Sequence, residues 1–156
     1  MSLIMDKENG IKIIATNRKA HFNYFLSDYT ECGIVLKGTE IKSLRVHACS
    51  IGDSYVIIRN GEAEILNMHI NPYEQGNIFN QDPLRSRKLL LHKKEIKWFA
   101  EKVQRGGYSI VPTRVYFHKG KCKVEIALAK GKKAYDKRET IKNRDIERNM
   151  RKGEDY

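Results

Sequence analysis

The chain has 156 residues, 40% of them apolar, which is enough for one globular domain with a substantial core. Lysines and arginines number 30 against 19 aspartates and glutamates, so the net charge is +11. Such an excess of cations indicates a polyanionic partner, either nucleic acid or an anionic membrane surface. No apolar run approaches the roughly 20 residues of a membrane-spanning helix, and no signal-peptide pattern opens the chain. We therefore expect a cytoplasmic protein with no membrane partner.

Most of the chain up to Ala129 is predicted to be β structure. We assign residues 1–10 to an N-terminal extension and residues 11–130 to the folded domain. The apolar run at 11–15 predicts a strand, and Asn17 suits the N-cap of a helix over 17–26. A run bracketed by glycines predicts a second strand over 33–38, which continues over 39–46 across a bulge.

Two hairpins have the most specific turn signals. Asn60 and Gly61 supply the positive φ angles of a type I′ turn between strands at 54–59 and 62–66. Lys119 and Gly120 are predicted to join a strand at 113–118 to one at 121–129, in which alternate residues point inward. Between the hairpins, residues 71–87 contain prolines and a glycine and are expected to form a long ordered loop.

One helix is clearly indicated, over residues 93–104. Gly106-Gly107 follows it as a C-terminal stop. Its apolar stripe consists of Ile96, Phe99, Ala100 and Val103. Together with five or six short antiparallel strands, these features predict a mainly β fold, a small antiparallel barrel with peripheral helices. Such barrels often present one face to oligonucleotides.

Neither a metal nor an organic cofactor is indicated. The three cysteines, Cys32, Cys49 and Cys122, are widely spaced and odd in number, which disfavours a disulfide framework or a zinc site. The histidines lack zinc-binding spacing, and no phosphate-binding glycine loop or nucleophile motif is present. We expect buried thiols in a reducing compartment.

Three basic clusters are candidates for binding phosphate. The first is Asn17-Arg18-Lys19, at the start of the predicted first helix and close to Phe22, which could stack on an unpaired base. The others are residues 85–88 and the lysines at 119, 121 and 123. For each cluster alone, a solvated surface is the alternative.

A catalytic alternative rests on two residues. His21 with Glu31 could supply the acid–base pair of a nuclease. A histidine with a glutamate ten residues further along is a weak signal, however, and a surface or RNA-contacting role is favoured for both.

Taken in order, the longer sequence strings resemble one family. They are NRKA at 17–20, GTEIKSLR at 38–45, DSY at 53–55, HINPY at 69–73, RSRKLLL at 85–91, KCKVEIALAKGKK at 121–133 and YDKR at 135–138. Each string is weak evidence alone, but their succession over residues 11–144 is specific. The chain is similar to the SsrA-binding, or small protein B, family, the bacterial partners of transfer-messenger RNA in trans-translation.

This resemblance implies a non-enzymatic adaptor. It implies an OB-like antiparallel barrel that binds the tRNA-like domain of transfer-messenger RNA and delivers the RNA to stalled ribosomes. It also implies a C-terminal tail that is disordered in the free protein and enters the vacant mRNA channel near the decoding region. We expect the protein to be a monomer.

The family's RNA contacts can be transferred where this sequence matches them. They are Asn17, Arg18, Lys19, Glu31, Lys88, Leu90, Lys123 and Gly131. Because a carboxylate repels phosphate, Glu31 is expected either to accept hydrogen bonds from base amino groups or to orient Lys19 and Lys123.

The chain departs from the family pattern at His21-Phe22-Asn23, where the family has a basic residue, a histidine and an acid. Phe22 can stack on a base but cannot donate a hydrogen bond or carry charge. His21 is the candidate substitute from the neighbouring position. Backbone and shape recognition by this segment do not depend on the difference.

The tail over residues 131–156 is predicted to be coil when free and helical on the ribosome. It has too few apolar residues to offset its ordering entropy. At about 100° per residue, however, five cations fall within an arc of roughly 60° that contains no acid between residues 133 and 151. This basic arc consists of Lys133, Lys137, Arg144, Arg148 and Arg151. The opposite, apolar edge consists of Tyr135, Ile146 and Met150, and the other tail candidates for ribosome contact are Lys132, Asp136 and Arg138.

Two other functions remain open at this point. A constitutive ribosomal protein would also have a basic body and tail, but it would be stoichiometric with every ribosome. An RNA-processing enzyme would turn over end-labelled RNA.

Overall fold

A computed structural model of the chain describes residues 4–6, 10–46, 49–75 and 80–154. The strands in this part of the chain are β1 (Ile4–Asp6), β2 (Ile11–Thr16), β3 (Tyr24–Ile34), β4 (Tyr55–Arg59), β5 (Glu62–Leu66), β6 (Arg87–Leu90), β7 (Ser109–His118) and β8 (Lys121–Gly131). The helices are α1 (Arg18–Asn23), α2 (Gly38–Val46), α3 (Lys93–Gly106) and α4 (Ala134–Glu154).

Six strands close a ring in which every pairing is antiparallel. The ring runs from β3 through β8, β7, β4, β5 and β6 and back to β3. β7 also pairs with β2. Both can pair with the same edge of β7 because β4 pairs at Ile110, near its start, and β2 pairs with residues 114–118, in its second half. The predictions of a mainly β fold and of an antiparallel barrel with peripheral helices are confirmed.

The core fills the interior of this ring. Val124, Ile126 and Leu128 of β8 are buried, as the predicted alternation requires. Phe99 of α3 is only 1% exposed and packs into the same core. Full burial of a side chain of this size contributes about 1.5–3 kcal/mol.

Both predicted hairpins form, with the predicted turns. Asn60 and Gly61 have φ of 53° and 73°, and Lys119 and Gly120 have φ of 51° and 78°. These left-handed pairs are the backbone of a type I′ turn, whose twist matches that of the flanking strands. α3 ends as predicted, with Gly107 in the left-handed conformation that terminates helices.

The strand predicted over 39–46 is wrong, because this segment forms helix α2. Glu40 stabilises the first turn by accepting a hydrogen bond from the backbone N–H of Lys37 at 2.8 Å. Leu44 is buried one turn later, so the segment follows a helical rather than a strand period.

The helix predicted over 17–26 is shorter, and a long strand follows it. α1 ends at Asn23, and Tyr24 begins β3, where it pairs with Gly131 of β8. Of the strand predicted over 33–38, Gly33 and Ile34 alone belong to a strand, the end of β3. The rest of β3 was not predicted, because a bulge between Ser27 and Thr30 interrupts the alternation. Tertiary pairing with β8 therefore overrides the local helical pattern.

The loop predicted over 71–87 is largely confirmed in its described part. The side chain of Asn80 ties it together, donating to the carbonyl of Tyr73 and accepting from its N–H at 2.7 and 2.8 Å. Arg87, however, belongs to β6 and not to the loop. The described part of the chain has eight strands, against the five or six predicted. Residues 76–79 of the predicted loop lie outside the described residues.

Candidate RNA-binding surfaces

Strands β3 and β8 pair to form a long two-stranded ribbon, the β3–β8 ribbon. The predicted RNA contacts separate into two groups at its opposite ends. At one end Gly33 pairs with Lys123, and at the other Tyr24 pairs with Gly131. Nine residues of strand separate Gly33 from Tyr24, roughly 30 Å along the chain at about 3.3 Å per residue. We call Glu31, Lys88, Leu90 and Lys123 the Gly33 cluster. We call Arg18, Lys19, His21, Phe22 and Gly131 the α1 cluster.

Strand pairing on both sides of Gly33 builds the first cluster. Gly33 faces Leu90 of β6 on one side and Lys123 of β8 on the other. A Cβ at position 33 would lie 3.3 Å from Leu90 Cδ1, so glycine permits the close packing of Leu90 over the strand. Leu90 nevertheless remains 54% exposed. An apolar side chain is thereby held at the surface beside a cation.

A groove of about 510 Å³ runs past these residues. Its walls include Val35 and Leu90, both exposed, together with Lys121 and Lys123. Within the described part of the chain Lys123 forms no ion pair, so its ammonium group is available to phosphate. Lys88 pairs with Glu62 at 3.1 Å, but both side chains are about half exposed and such a pair is weak.

Glu31 is fixed by a buried tyrosine. The hydroxyl of Tyr116 donates to the Glu31 carboxylate, while the Tyr116 residue is only 1% exposed. Burial raises the pKa of Tyr116, and the hydrogen bond to Glu31 and the Glu31 charge raise it further. The phenol therefore stays protonated and remains a donor to Glu31.

Neighbouring groups complete this polar patch. Glu125 of β8 lies directly opposite Glu31, and Arg114 pairs with Glu125 at 3.2 Å. The Arg114 guanidinium also lies 4.8 Å from the centre of the Tyr116 ring. Arg114 therefore compensates the charge of Glu125. The lone pairs of the Glu31 carboxylate that Tyr116 does not use are left to accept hydrogen bonds at the surface.

Arg114 and Tyr116 were not among the candidates predicted from the sequence. A signal was present, since both residues lie two apart on one face of a predicted strand. A buried tyrosine needs a partner for its hydroxyl, which points to a nearby polar group.

The prediction that Glu31 orients Lys19 is wrong. Lys19 belongs to the α1 cluster, where it pairs with Asp53 at 3.4 Å. The catalytic alternative fails for the same geometric reason. His21 lies in α1, whereas Glu31 lies seven residues beyond the start of β3, roughly 20 Å along the strand.

The basic cluster predicted at 85–88 is mostly an internal ion-pair network. The Arg87 side chain is fully buried, and its Nε donates to Glu40 Oε2 at 2.5 Å. Arg85 Nη2 donates to the other oxygen of Glu40 at 2.5 Å. Of the cations in this cluster, Lys88 is the one exposed to solvent. Arg85 and Arg87 therefore hold α2 and the 80–87 loop on the barrel.

Glu40 is ionised in this network. Its burial alone would raise the pKa, but hydrogen bonds from Arg85, Lys37 and Arg87 and the charge of Arg87 outweigh that effect. Together they lower the pKa of Glu40 below its ordinary value. The buried carboxylate is thus fully compensated, and the excess positive charge falls on Arg85, whose side chain is 27% exposed to solvent.

Asn17 is the N-cap of α1, as predicted, but its side chain lies inside the protein. It accepts from Ala20 N–H at 3.0 Å and donates to the carbonyls of Ile51 and Pro112 at 3.1 and 2.8 Å. The residue is only 2% exposed. The prediction that Asn17 contacts RNA is therefore replaced by a positioning role for the start of α1.

The rest of the α1 cluster lies against the beginning of the tail. Arg18 and His21 are exposed, and Phe22 is half-buried. The guanidinium of Arg144, in α4, lies 5.7 Å from the centre of the Phe22 ring. Gly131, the last residue of β8, leads directly into this junction.

Lys132 secures the junction between β8 and α4. Its backbone N–H donates to the carbonyl of Asn23 at 2.9 Å. Its ammonium donates to the carbonyl of His21 at 3.4 Å and to Thr140 Oγ1 at 2.8 Å. It also lies 5.2 Å from the centre of the Phe25 ring. α4 therefore leaves the barrel beside α1.

α4 spans the predicted apolar edge and the basic arc except Lys133, which directly precedes the helix. Asp136 begins it by accepting from Lys133 N–H at 3.1 Å, and Lys137 follows in the first turn. Tyr135 and Ile146 of the apolar edge are 60% and 43% exposed. The remaining predicted tail residues with described side chains, Arg138 and Arg148, are exposed. Met150 and Arg151 lie in the helix, and their side chains are outside the described residues.

The thiols carry no sign of reactivity. Cys32 is buried, and Cys49 and Cys122 are partly buried. Burial is the main cause that raises the pKa of each to about 12. In the described part of the chain, no group of three or more potential ligands could hold a metal ion. Among the described helices, none has the length and apolar character needed to cross a membrane.

Comparisons with known proteins agree on one family. The family model described as SmpB protein matches residues 14–155. An SsrA-binding protein of Caldicellulosiruptor bescii is 56% identical over 147 residues, 94% of this chain and 93% of that protein. One from Fervidobacterium nodosum is 53% identical over 142 residues, 90% of this chain and 95% of that protein.

A solved structure also matches. It is described as "tmRNA-SmpB: a journey to the center of the bacterial ribosome", and one of its chains is 44% identical to this one, with a TM-score of 0.65. The match covers 77% of this chain and 85% of that chain. The family match spans both candidate surfaces and the whole of α4, and the chain belongs to the SmpB protein family.

Proposed function

We propose that this protein is a non-enzymatic adaptor that binds the tRNA-like domain of transfer-messenger RNA and brings it to stalled ribosomes in the cytoplasm. The relatives are SsrA-binding proteins, and the matching solved structure is of tmRNA with SmpB at the bacterial ribosome. The Gly33 cluster carries the proposal for this chain. Lys123, which forms no ion pair among the described residues, and the exposed Leu90 line one groove, and Glu31, fixed by Tyr116, lies two residues before Gly33 on the same strand.

Each part of the Gly33 cluster has a function in recognising RNA. Lys123 and Lys88 neutralise phosphates, which supplies most of the affinity. Leu90 contacts the apolar faces of riboses or bases, and Glu31 accepts hydrogen bonds from base amino groups. Tyr116 holds Glu31 in place, so this acceptor is preorganised before RNA arrives.

The α1 cluster takes a different role in this proposal. It lies at the other end of the ribbon and is continuous with the tail through Lys132. We assign Phe22, His21 and α4 to the ribosome-facing side, with the basic arc directed at ribosomal RNA in the mRNA channel. The tail cations Lys132, Lys133 and Lys137 lie nearest the barrel, at the base of the tail.

A salt titration tests the RNA-binding half of the proposal. The full chain is titrated with a transcript of the tRNA-like domain at several salt concentrations. If about six phosphates are contacted, affinity should fall by about three decades between 50 and 200 mM salt. A flat salt response would contradict electrostatic recognition.

Co-sedimentation tests the adaptor half. The protein should sediment with ribosomes sub-stoichiometrically, and only when transfer-messenger RNA is present. Constitutive association with every ribosome, independent of that RNA, would instead identify a ribosomal protein. Purified protein that cleaved end-labelled RNA would identify an enzyme.

A further inference from the structure

The outward face of α3 carries a concentration of charge that the Gly33 and α1 clusters do not include. At 100° per residue its side chains outside the core cover half of the helix circumference. Five of them are cations, against one exposed carboxylate, Glu101. We call Lys93, Lys94, Lys97, Trp98, Lys102 and Arg105 the α3 basic face. Within the described part of the chain, none of its cations forms an ion pair.

Helix stability accounts for only part of this charge: Glu101 lies one turn from Lys97 and from Arg105, but Lys93, Lys94 and Lys102 have no acid one turn away. Lys93 and Lys94 occupy the first turn, where the helix dipole disfavours cations. Lys93 and Lys97 are also one turn apart, an i,i+4 spacing at which like charges repel. The first turn is instead stabilised by Glu95, which accepts from His92 N–H at 3.1 Å. A bound polyanion would remove both unfavourable terms.

Trp98 is the second unexplained feature of this face. It remains 38% exposed although its edge packs against buried Phe99, with the ring centres 5.1 Å apart. Lys94 and Lys102 lie one turn before and one turn after it, and Lys102 Nζ is 5.6 Å from the ring centre. An aromatic ring held rigidly between cations is suited to stacking on a base or ribose beside a phosphate backbone.

The position of α3 connects its basic face to the Gly33 cluster. Lys93 and Ile96 line a groove of about 250 Å³ together with Lys88 and Leu90. The cations of α3 therefore begin where the Gly33 cluster ends. From there the helix extends for 14 residues, about 21 Å at 1.5 Å per residue.

We infer that the α3 basic face is a second docking surface for the tRNA-like domain, continuous with the Gly33 cluster and contacting the sugar-phosphate backbone. The inference rests on the proposed function, since it takes the same RNA as its ligand. It adds a binding surface that Lys88 and Lys123 do not supply. Lys93 and Lys97 extend the phosphate track, and Trp98 with Lys102 provides a stacking point further along it.

Charge reversal at two positions tests the inference. Lys97→Glu with Lys102→Glu is compared with Lys42→Glu and Arg45→Glu, exposed cations of α2, which change the net charge equally. The probe is a transcript of the tRNA-like domain. The α3 variant should bind at least about tenfold more weakly at 50 mM salt, and its slope of log K against log salt should fall by about 1.8. The α2 variant should stay within about threefold of wild type.

Trp98→Ala separates stacking from charge. It should weaken binding several-fold and leave the salt slope unchanged, because no cation is removed. Thermal melting of each variant confirms that the protein is folded. Wild-type affinity of the folded Lys97, Lys102 variant would overturn the inference, as would equal losses in the α3 and α2 variants.

Two further arms exclude other ligands for this face. If the α3 variant bound the transcript normally but lost co-sedimentation with ribosomes, the face would belong to ribosomal RNA and the inference would be wrong. If it lost only binding to vesicles of phosphatidylserine and phosphatidylcholine, a lipid surface would be the partner and the inference would also be wrong. Failure of wild-type protein to bind the transcript would instead refute the proposed function.

Discussion

The two ends of the β3–β8 ribbon differ in how firmly their functional side chains are held. At the Gly33 end these side chains lie on paired strands of the barrel. At the α1 end, a few contacts hold α4 against the barrel. Glu31, for example, is fixed by Tyr116 from inside the barrel. Arg144 meets Phe22 through one exposed cation–π contact at 5.7 Å. Such a contact contributes about 0.5–1 kcal/mol, while ordering one residue of backbone costs about 1–2 kcal/mol.

This difference suits two tasks in one small protein. A preorganised surface loses little entropy on binding, as expected for recognition of one folded RNA. A segment whose helix is held by few internal contacts gains order from its partner and can follow the shape of a channel. The exposed Tyr135 and Ile146 of α4 are likewise available to a partner. The structure has the tail as a helix over Ala134–Glu154, so a coil state of the free tail stays a prediction, which the small number of contacts holding α4 favours.

Removing Glu40 should have the largest effect on the rigid part. Glu40→Ala leaves Arg87, whose side chain is 0% exposed, as a buried charge without its carboxylate partner. We expect the free energy of unfolding to fall by about 3–5 kcal/mol, measured by urea denaturation. Glu62→Ala removes the half-exposed partner of Lys88 and should cost less than about 1 kcal/mol.

The Glu40 network also predicts a pH dependence. Because folding lowers the pKa of Glu40, its contribution is fully present above the unfolded pKa and is lost as pH falls through the folded pKa. Wild-type stability should therefore decline on acidification, and Glu40→Gln should reduce that slope. Equal stability of wild type and Glu40→Ala at neutral pH would show that the network contributes nothing.

The sequence predicted most reliably what is encoded locally. Asn60-Gly61 and Lys119-Gly120 specify their turns through the positive φ angles these residues tolerate. By contrast, the partners of Glu40 lie 45 and 47 residues away, so the charges of Arg85 and Arg87 gave no indication that both would turn inward. The resemblance supplied Glu31 and Lys123, but the division of the candidates between two ends depends on the register of β3 and β8.

Charge reversal in the tail tests the adaptable end of the ribbon. Arg144→Glu with Arg148→Glu reverses two members of the basic arc, and should lower tagging of nascent chains on stalled ribosomes by about a hundredfold. Asp145→Lys with Glu147→Lys changes the net charge by the same magnitude outside the arc, and should be tolerated much better. Ile146→Asp should also impair tagging, by placing a charge where an apolar contact is expected. Binding of the isolated tRNA-like transcript should change little in all three variants.

The tail experiment separates a helix with faces from a diffuse charge. If both charge-reversal pairs reduced tagging equally, orientation of the basic arc would be irrelevant. A loss of transcript affinity in the Arg144, Arg148 variant would place the tail on transfer-messenger RNA instead of the ribosome.

A smaller effect is expected from one lysine of the Gly33 cluster. Lys123→Ala removes one charge-assisted contact to phosphate, and should weaken transcript binding about tenfold without altering stability. Lys42→Ala, on the exposed side of α2, is the matched control and should bind as wild type. If Lys123→Ala also bound as wild type, the rigid RNA surface would have to lie elsewhere on the barrel.

The smallest effect concerns the contact between α1 and α4. Phe22→Leu keeps an apolar side chain but removes the ring over which the Arg144 guanidinium lies. The contact contributes about 0.5–1 kcal/mol to the free energy of opening α4. Its loss should make the amides of α4 exchange with solvent roughly two- to fivefold faster in the free protein, while the exchange rates of α3 stay unchanged. Arg144→Gln should produce the same acceleration, and the double variant should add little, because both changes remove one contact. Arg138→Gln, on an exposed residue of α4, is the control. If α4 amides already exchanged at the rate of an unfolded peptide in wild type and none of these variants changed it, the free tail would be coil and the α1 end of the ribbon would acquire its order entirely from the partner.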